Sequence, residues 1–147
     1  MTLQRITAGF LRCVAILQVL TAAVVFMPVA WIAAWHAWIG LGLMPDDPFL
    51  RYVIRGAGYT QAAVGVLLWI MAGDVVRYRP LVIATAAIYL AAGPAFYLIE
   101  TIAGMPRFWC LIDSVSCFSV GVVLMALCRL SSERKKAKGQ GGDGPGI

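Results

Sequence analysis

Four long apolar runs alternate with short polar or turn-forming segments along this chain. They cover about 10–27, 49–72, 81–103 and 108–130. Each holds about 18–24 residues, enough at 1.5 Å per residue to cross the roughly 30 Å hydrocarbon core of a bilayer as a helix. The segments between them are rich in glycine and proline, which mark turns: 40–48, Gly73-Asp74-Val75-Val76-Arg77-Tyr78-Arg79-Pro80 and Gly104-Met105-Pro106-Arg107. Within the second run, Gly58 and Ala62 form a small-xxx-small pair that lets helix backbones approach closely. Gly93-Pro94 predicts a kink in the third. The pattern predicts an all-α fold, an integral membrane four-helix bundle, with no long internal repeat.

The first run begins basic, with Arg5 and Arg12, and so resembles a signal peptide. It does not end in small residues, however, but runs on into Met27-Pro28, and a retained helix is expected. Pro28 suits the first position of a new helix, where its missing N–H would have no partner anyway. Trp31, Trp35 and Trp38 then recur at i, i+4 and i+7, on one helical face. Indole rings favour the headgroup level, where the N–H stays wet. Residues 28–39 are therefore predicted to be a short helix lying along the outer interface after helix 1.

Composition strengthens the membrane reading. Of the 147 residues 61% are hydrophobic and 13% charged, and the mean hydropathy is +0.84; a soluble domain is nearer a quarter charged. The net charge of +5 sits in the short segments between apolar runs, so no basic face remains for nucleic acid. One side of the predicted membrane holds Arg5, Arg12, Arg77, Arg79, Arg129, Arg134, Lys135, Lys136 and Lys138. The other holds Arg51, Arg55 and Arg107. That asymmetry predicts both termini on the cytoplasmic side. Residues 1–130 read as the four-helix transmembrane domain. Residues 131–147, basic and then glycine-rich, read as a disordered cytoplasmic tail.

Three ionisable residues fall inside the runs: Arg55, Glu100 and Asp113. A lone charge at mid-bilayer costs about 2.5–3.5 kcal/mol on insertion scales, so pairing is expected. All three lie in the outer half. Two arrangements fit. One is a dry clamp between Arg55 and a carboxylate, locking helices together. The other is a polar pocket open outward, with Arg51 above Arg55 on the same face, His36 covering it, and Tyr59, Gln61 and Tyr97 as further lining.

Cys13, Cys110, Cys117 and Cys128 contain no C-x-x-C pair. They read as small packing residues. Cys110 and Cys117 on one helix would be about 10.5 Å apart, too far for a disulfide. Cys110, Asp113 and Cys117 share a helical face, yet nothing else supports a metal there. A single histidine, His36, excludes two-histidine haem ligation. Nucleophile, phosphate-loop and dinucleotide motifs are absent. No catalytic residue, metal or cofactor is expected.

The stretch Met27-Pro28-x-x-Trp31-x-Ala33-x-x-His36-x-Trp38-x-Gly40-Leu41-Gly42 and the turn Asp74-x-x-Arg77-Tyr78-Arg79-Pro80 resemble a group of small bacterial four-helix membrane proteins, loosely similar to the DoxX-like and BphX-like families. The resemblance covers roughly 8–130. It implies a bacterial inner membrane and four helices, and it transfers no activity. The function expected is non-enzymatic: an accessory or scaffolding subunit whose partners are the lipid bilayer and other membrane subunits or copies of itself. The alternative is a binder or transporter of a small molecule through the outer-facing Arg51, Arg55, Glu100, Asp113 and His36 pocket. Glu100 and Asp113 lie too shallow for a proton-coupled exporter, which weakens the transporter form.

Overall fold

The computed structural model describes residues 3–140, with side chains to Glu133. Six helices follow in chain order: α1 Leu3–Leu20, α2 Ala23–Phe26, α3 Val29–His36, α4 Pro48–Gly73, α5 Arg79–Ile102 and α6 Arg107–Gln140. A wider helical turn, Ala37–Leu41, extends α3. No strand occurs among the described residues. Four helical stretches are long and apolar enough to cross a membrane: Leu3–Phe26, Pro48–Gly73, Arg79–Ile102 and Arg107–Glu133.

Local sequence explains the boundaries. Thr21 and Ala22 bond back to Gln18 and Val19 through three-residue turns, which separates α1 from α2. Pro28 is extended, at φ −56° and ψ 141°, so the chain breaks after Met27 and restarts as α3. Asp47 caps α4 by accepting from the Phe49 N–H at 2.8 Å, with Pro48 in the first turn. The C-terminus of α5 closes on Gly104 at φ +74°. There the Gly104 N–H reaches Thr101 O and the Met105 N–H reaches Glu100 O, the paired bonds that a left-handed glycine permits. Pro94 sits inside α5, which continues through it to Ile102.

Two boundaries differ from the sequence reading. The first helix begins at Leu3, before the apolar run does. The last continues to Gln140, where an unstructured tail was expected from 131. Glu133, Arg134, Lys135, Lys136, Ala137 and Lys138 all favour helix, and a helix already under way needs no new nucleus. Of the predicted tail, 141–147 lie outside the described residues.

The long helices pack most extensively as sequential pairs, α1 with α4 and α5 with α6, and α1 also meets α6. Glycines make the pairs tight. A Cβ on Gly65 would lie 2.8 Å from Ala15 O, and one on Gly121 would lie 2.6 Å from Leu90 N. Gly58 and Gly93 meet Thr21 and Phe118 in the same manner. The α4 seam thus uses Gly58 and Gly65, seven apart, rather than Gly58 and Ala62.

The core lies toward one end. Leu11, Val14 and Ala15 of α1, Leu68, Met71 and Ala72 of α4, Val82 and Ala86 of α5, and Leu124 and Cys128 of α6 form one buried cluster. All lie toward the end that holds the 74–78 turn. The opposite end, with α3 and the start of α4, buries little beyond Ile32 and Cys110. Clefts open there.

Candidate functional site

The five predicted site residues separate into three places at the loosely packed end. The first is a cleft of about 800 Å³ lined by Val25, Val29, Pro48, Arg51, Tyr52, Arg55, Gly56, Tyr59 and Thr60. Arg51 and Arg55 are four apart on α4 and share this face. Arg51 Nη1 lies 3.1 Å from Asp46 Oδ1, whose side chain is 91% exposed. Arg55 reaches no carboxylate among the described residues. Its Nη2 donates to Met27 O at 3.4 Å. Pro28, lacking an N–H and breaking the helix, helps to leave that carbonyl free of a continuous helical ladder. Arg55 Nε is shielded from solvent and has no partner.

The second place is the α5–α6 contact. Glu100 near the end of α5 and Asp113 near the start of α6 flank the Gly104 turn, and Cys110 Sγ donates to Met105 O at 3.7 Å beside them. Glu100 Oε2 is shielded from solvent and has no hydrogen-bond partner among the described residues. The expected pairing of Arg55 with Glu100 or Asp113 is not formed among the described residues: both acids lie beside the α5–α6 turn, while Arg55 turns toward the broken end of helix 1.

The third place holds His36. Its Nδ1 lies 3.0 Å from Gly42 O, and donation from Nδ1 to that carbonyl fixes the Gly40–Gly42 turn, where both glycines have positive φ. The ring borders a separate apolar pocket of about 370 Å³ with Trp35, Ile39, Leu50, Ile54 and Trp109. It does not line the arginine cleft. The single pocket of Arg51, Arg55, Glu100, Asp113 and His36 is therefore not formed.

Of the further lining expected, Tyr59 is in the cleft, whereas Gln61 and Tyr97 are exposed elsewhere. Tyr52 was missed; its seven-residue spacing from Tyr59 would have placed it on the same face. Also missed were the interior polar links. Gln18 Nε2 donates to Tyr89 Oη at 2.8 Å, Thr21 Oγ1 lies 3.0 Å from Gly58 O, and Ser114 Oγ donates to Gly93 O at 2.7 Å. A glutamine in the middle of an apolar run was the available signal, since a polar side chain there requires a partner.

Trp31, Trp35 and Trp38 are 64%, 61% and 80% exposed, a shared unpacked face on the hairpin after Pro28. The four cysteines are free, with Cys110 and Cys128 buried as packing residues and Cys13 exposed instead. Among the described residues no three His, Cys, Asp or Glu side chains gather as a metal ion would need. Compared with protein-family models, with curated proteins and with solved structures, the chain matches none, and the resemblance noted above rests on its quoted residues alone.

Proposed function

We propose that this chain is an integral protein of a bacterial inner membrane, crossing it four times with both termini cytoplasmic, and that it acts without catalysis as an accessory or scaffolding subunit. One observation carries the reading: in each of the four long helices only 17% of the most apolar stretch is buried within the chain. Leu17, Leu20, Leu67, Ile70, Ile99, Ile112 and Val115 are all half exposed or more. Water would penalise so much continuous apolar surface. Lipid or neighbouring helices would not. Arg77 and Arg79 in and beside the 74–78 turn support the orientation, and the exposed tryptophan face supports a short helix lying at the outer interface.

The topology is tested with a C-terminal reporter active only outside the cytoplasm, which should stay silent. The subunit role is tested by native mass spectrometry of the chain extracted from its own membrane in mild detergent. A protein partner at fixed stoichiometry is expected. A chain recovered alone with a low-mass ligand would replace that role with a second reading, a ligand binder. The arginine cleft favours this second reading, because Arg55 is a cation at span depth that meets no carboxylate among the described residues.

A further inference from the structure

Arg55 is the eighth residue of α4, which puts its Cα about 10 Å along the helix from Pro48. A guanidinium at that depth needs a counter-charge. The acids inside the spans, Glu100 on α5 and Asp113 on α6, form no ion pair with it among the described residues. Asp46 is held by Arg51 at the rim, almost fully in water, where an ion pair contributes little and is screened. Asp47 caps α4. Arg55 itself makes one long bond, to Met27 O, and its Nε makes none. A guanidinium has five N–H donors in a fork that matches phosphate oxygens, and most of these remain unused.

The cleft around it is built in two zones. Arg51 and Arg55 supply positive charge, with Tyr52 and Tyr59 on the same face of α4; Val25, Val29 and Pro48 supply apolar wall. Its volume of about 800 Å³ is far more than a phosphate ion occupies. A free phosphate would leave the valine wall wet. An amphiphile would fill both zones. Resting on the ligand-binding reading above, we propose that the Arg51–Arg55 cleft binds the phosphate of an anionic phospholipid from the outer leaflet, with the glycerol and upper acyl chain along Val25 and Val29.

The test is a native mass-spectrometric titration of the full chain in neutral detergent with phosphatidylglycerol, phosphatidylcholine and inorganic phosphate in turn. Other basic residues also attract anionic lipid, so the comparison is between variants. Arg51→Gln and Arg55→Gln should each weaken phosphatidylglycerol binding roughly ten- to hundred-fold, the loss of a charge-assisted hydrogen bond. Arg77→Gln, exposed at the opposite end, should leave it unchanged. Phosphatidylcholine should bind more weakly and respond to none of the three. If Arg55→Gln fails to fold, Arg51→Gln decides. Phosphatidylglycerol binding indifferent to both cleft substitutions overturns the proposal. Arginine-dependent binding of inorganic phosphate at equal strength keeps the ligand site and overturns the lipid assignment. No cleft-dependent binding of any of the three removes the ligand-binding reading as well.

Discussion

Replacing Gly121 with alanine should force α5 and α6 apart. The added Cβ would sit 2.6 Å from Leu90 N, 2.8 Å from Leu90 Cγ and 2.9 Å from Ala86 O. An ordinary carbon contact needs about 3.5 Å or more, so the helices would have to separate by roughly 1 Å. Overpacking costs about 1–3 kcal/mol, whereas exchanging glycine for alanine inside a helix returns about 1 kcal/mol. Two of the three opposing atoms belong to the main chain of α5, so no rotamer change can clear them. The cost therefore falls in the upper part of that range, about 2–3 kcal/mol, and outweighs the propensity gain for a net loss of about 1–2 kcal/mol. Unfolding followed by tryptophan fluorescence in mild detergent should show a Tm lower by roughly 2–8 °C. Gly9→Ala is the control, because nothing lies within 4 Å of its added Cβ; its Tm should hold or rise. A Gly121→Ala protein as stable as the Gly9→Ala protein would refute the close α5–α6 seam.

Three further outcomes are expected from the same assay. Arg55→Ala and Glu100→Gln should be additive, with a coupling under about 0.5 kcal/mol, because the two residues do not pair; rescue of the first by the second would restore the ion clamp. Gln18→Leu and Tyr89→Phe should couple by about 0.5–1.5 kcal/mol, given the 2.8 Å bond between their side chains, and full additivity would remove that link. Gly104→Ala should cost about 1 kcal/mol, the penalty for a side chain at φ +74°, and an unchanged Tm would argue against the glycine-closed end of α5.

Hydropathy made the four long helices legible, because lipid-length apolar runs leave few other structures. The break at Pro28 was legible too, since proline cannot continue the ladder behind it. The site was not. Spacing along one chain says which charges fall within a helix and at what depth, but not which helices are neighbours. Glu100 and Asp113 flank one short turn, away from Arg55. Arg55 instead finds a backbone carbonyl left by the Met27–Pro28 break, an acceptor no charge count reveals. Helix ends misled for a different reason: hydropathy stops at Leu130, while helix propensity continues through the charged residues beyond it.

The glycine seams also bear on the order in which the chain assembles. Each seam joins consecutive long helices, α1 to α4 and α5 to α6. Each hairpin can therefore close as soon as its second helix has been synthesised, without waiting for the rest of the chain, and contacts that are local in sequence close quickly. The wider cluster that joins the two hairpins, with Leu11, Leu68, Val82 and Leu124 in it, forms as a later docking step. Severing the chain within 74–78 and producing the halves together should then yield two fragments able to find one another, much as separate subunits do.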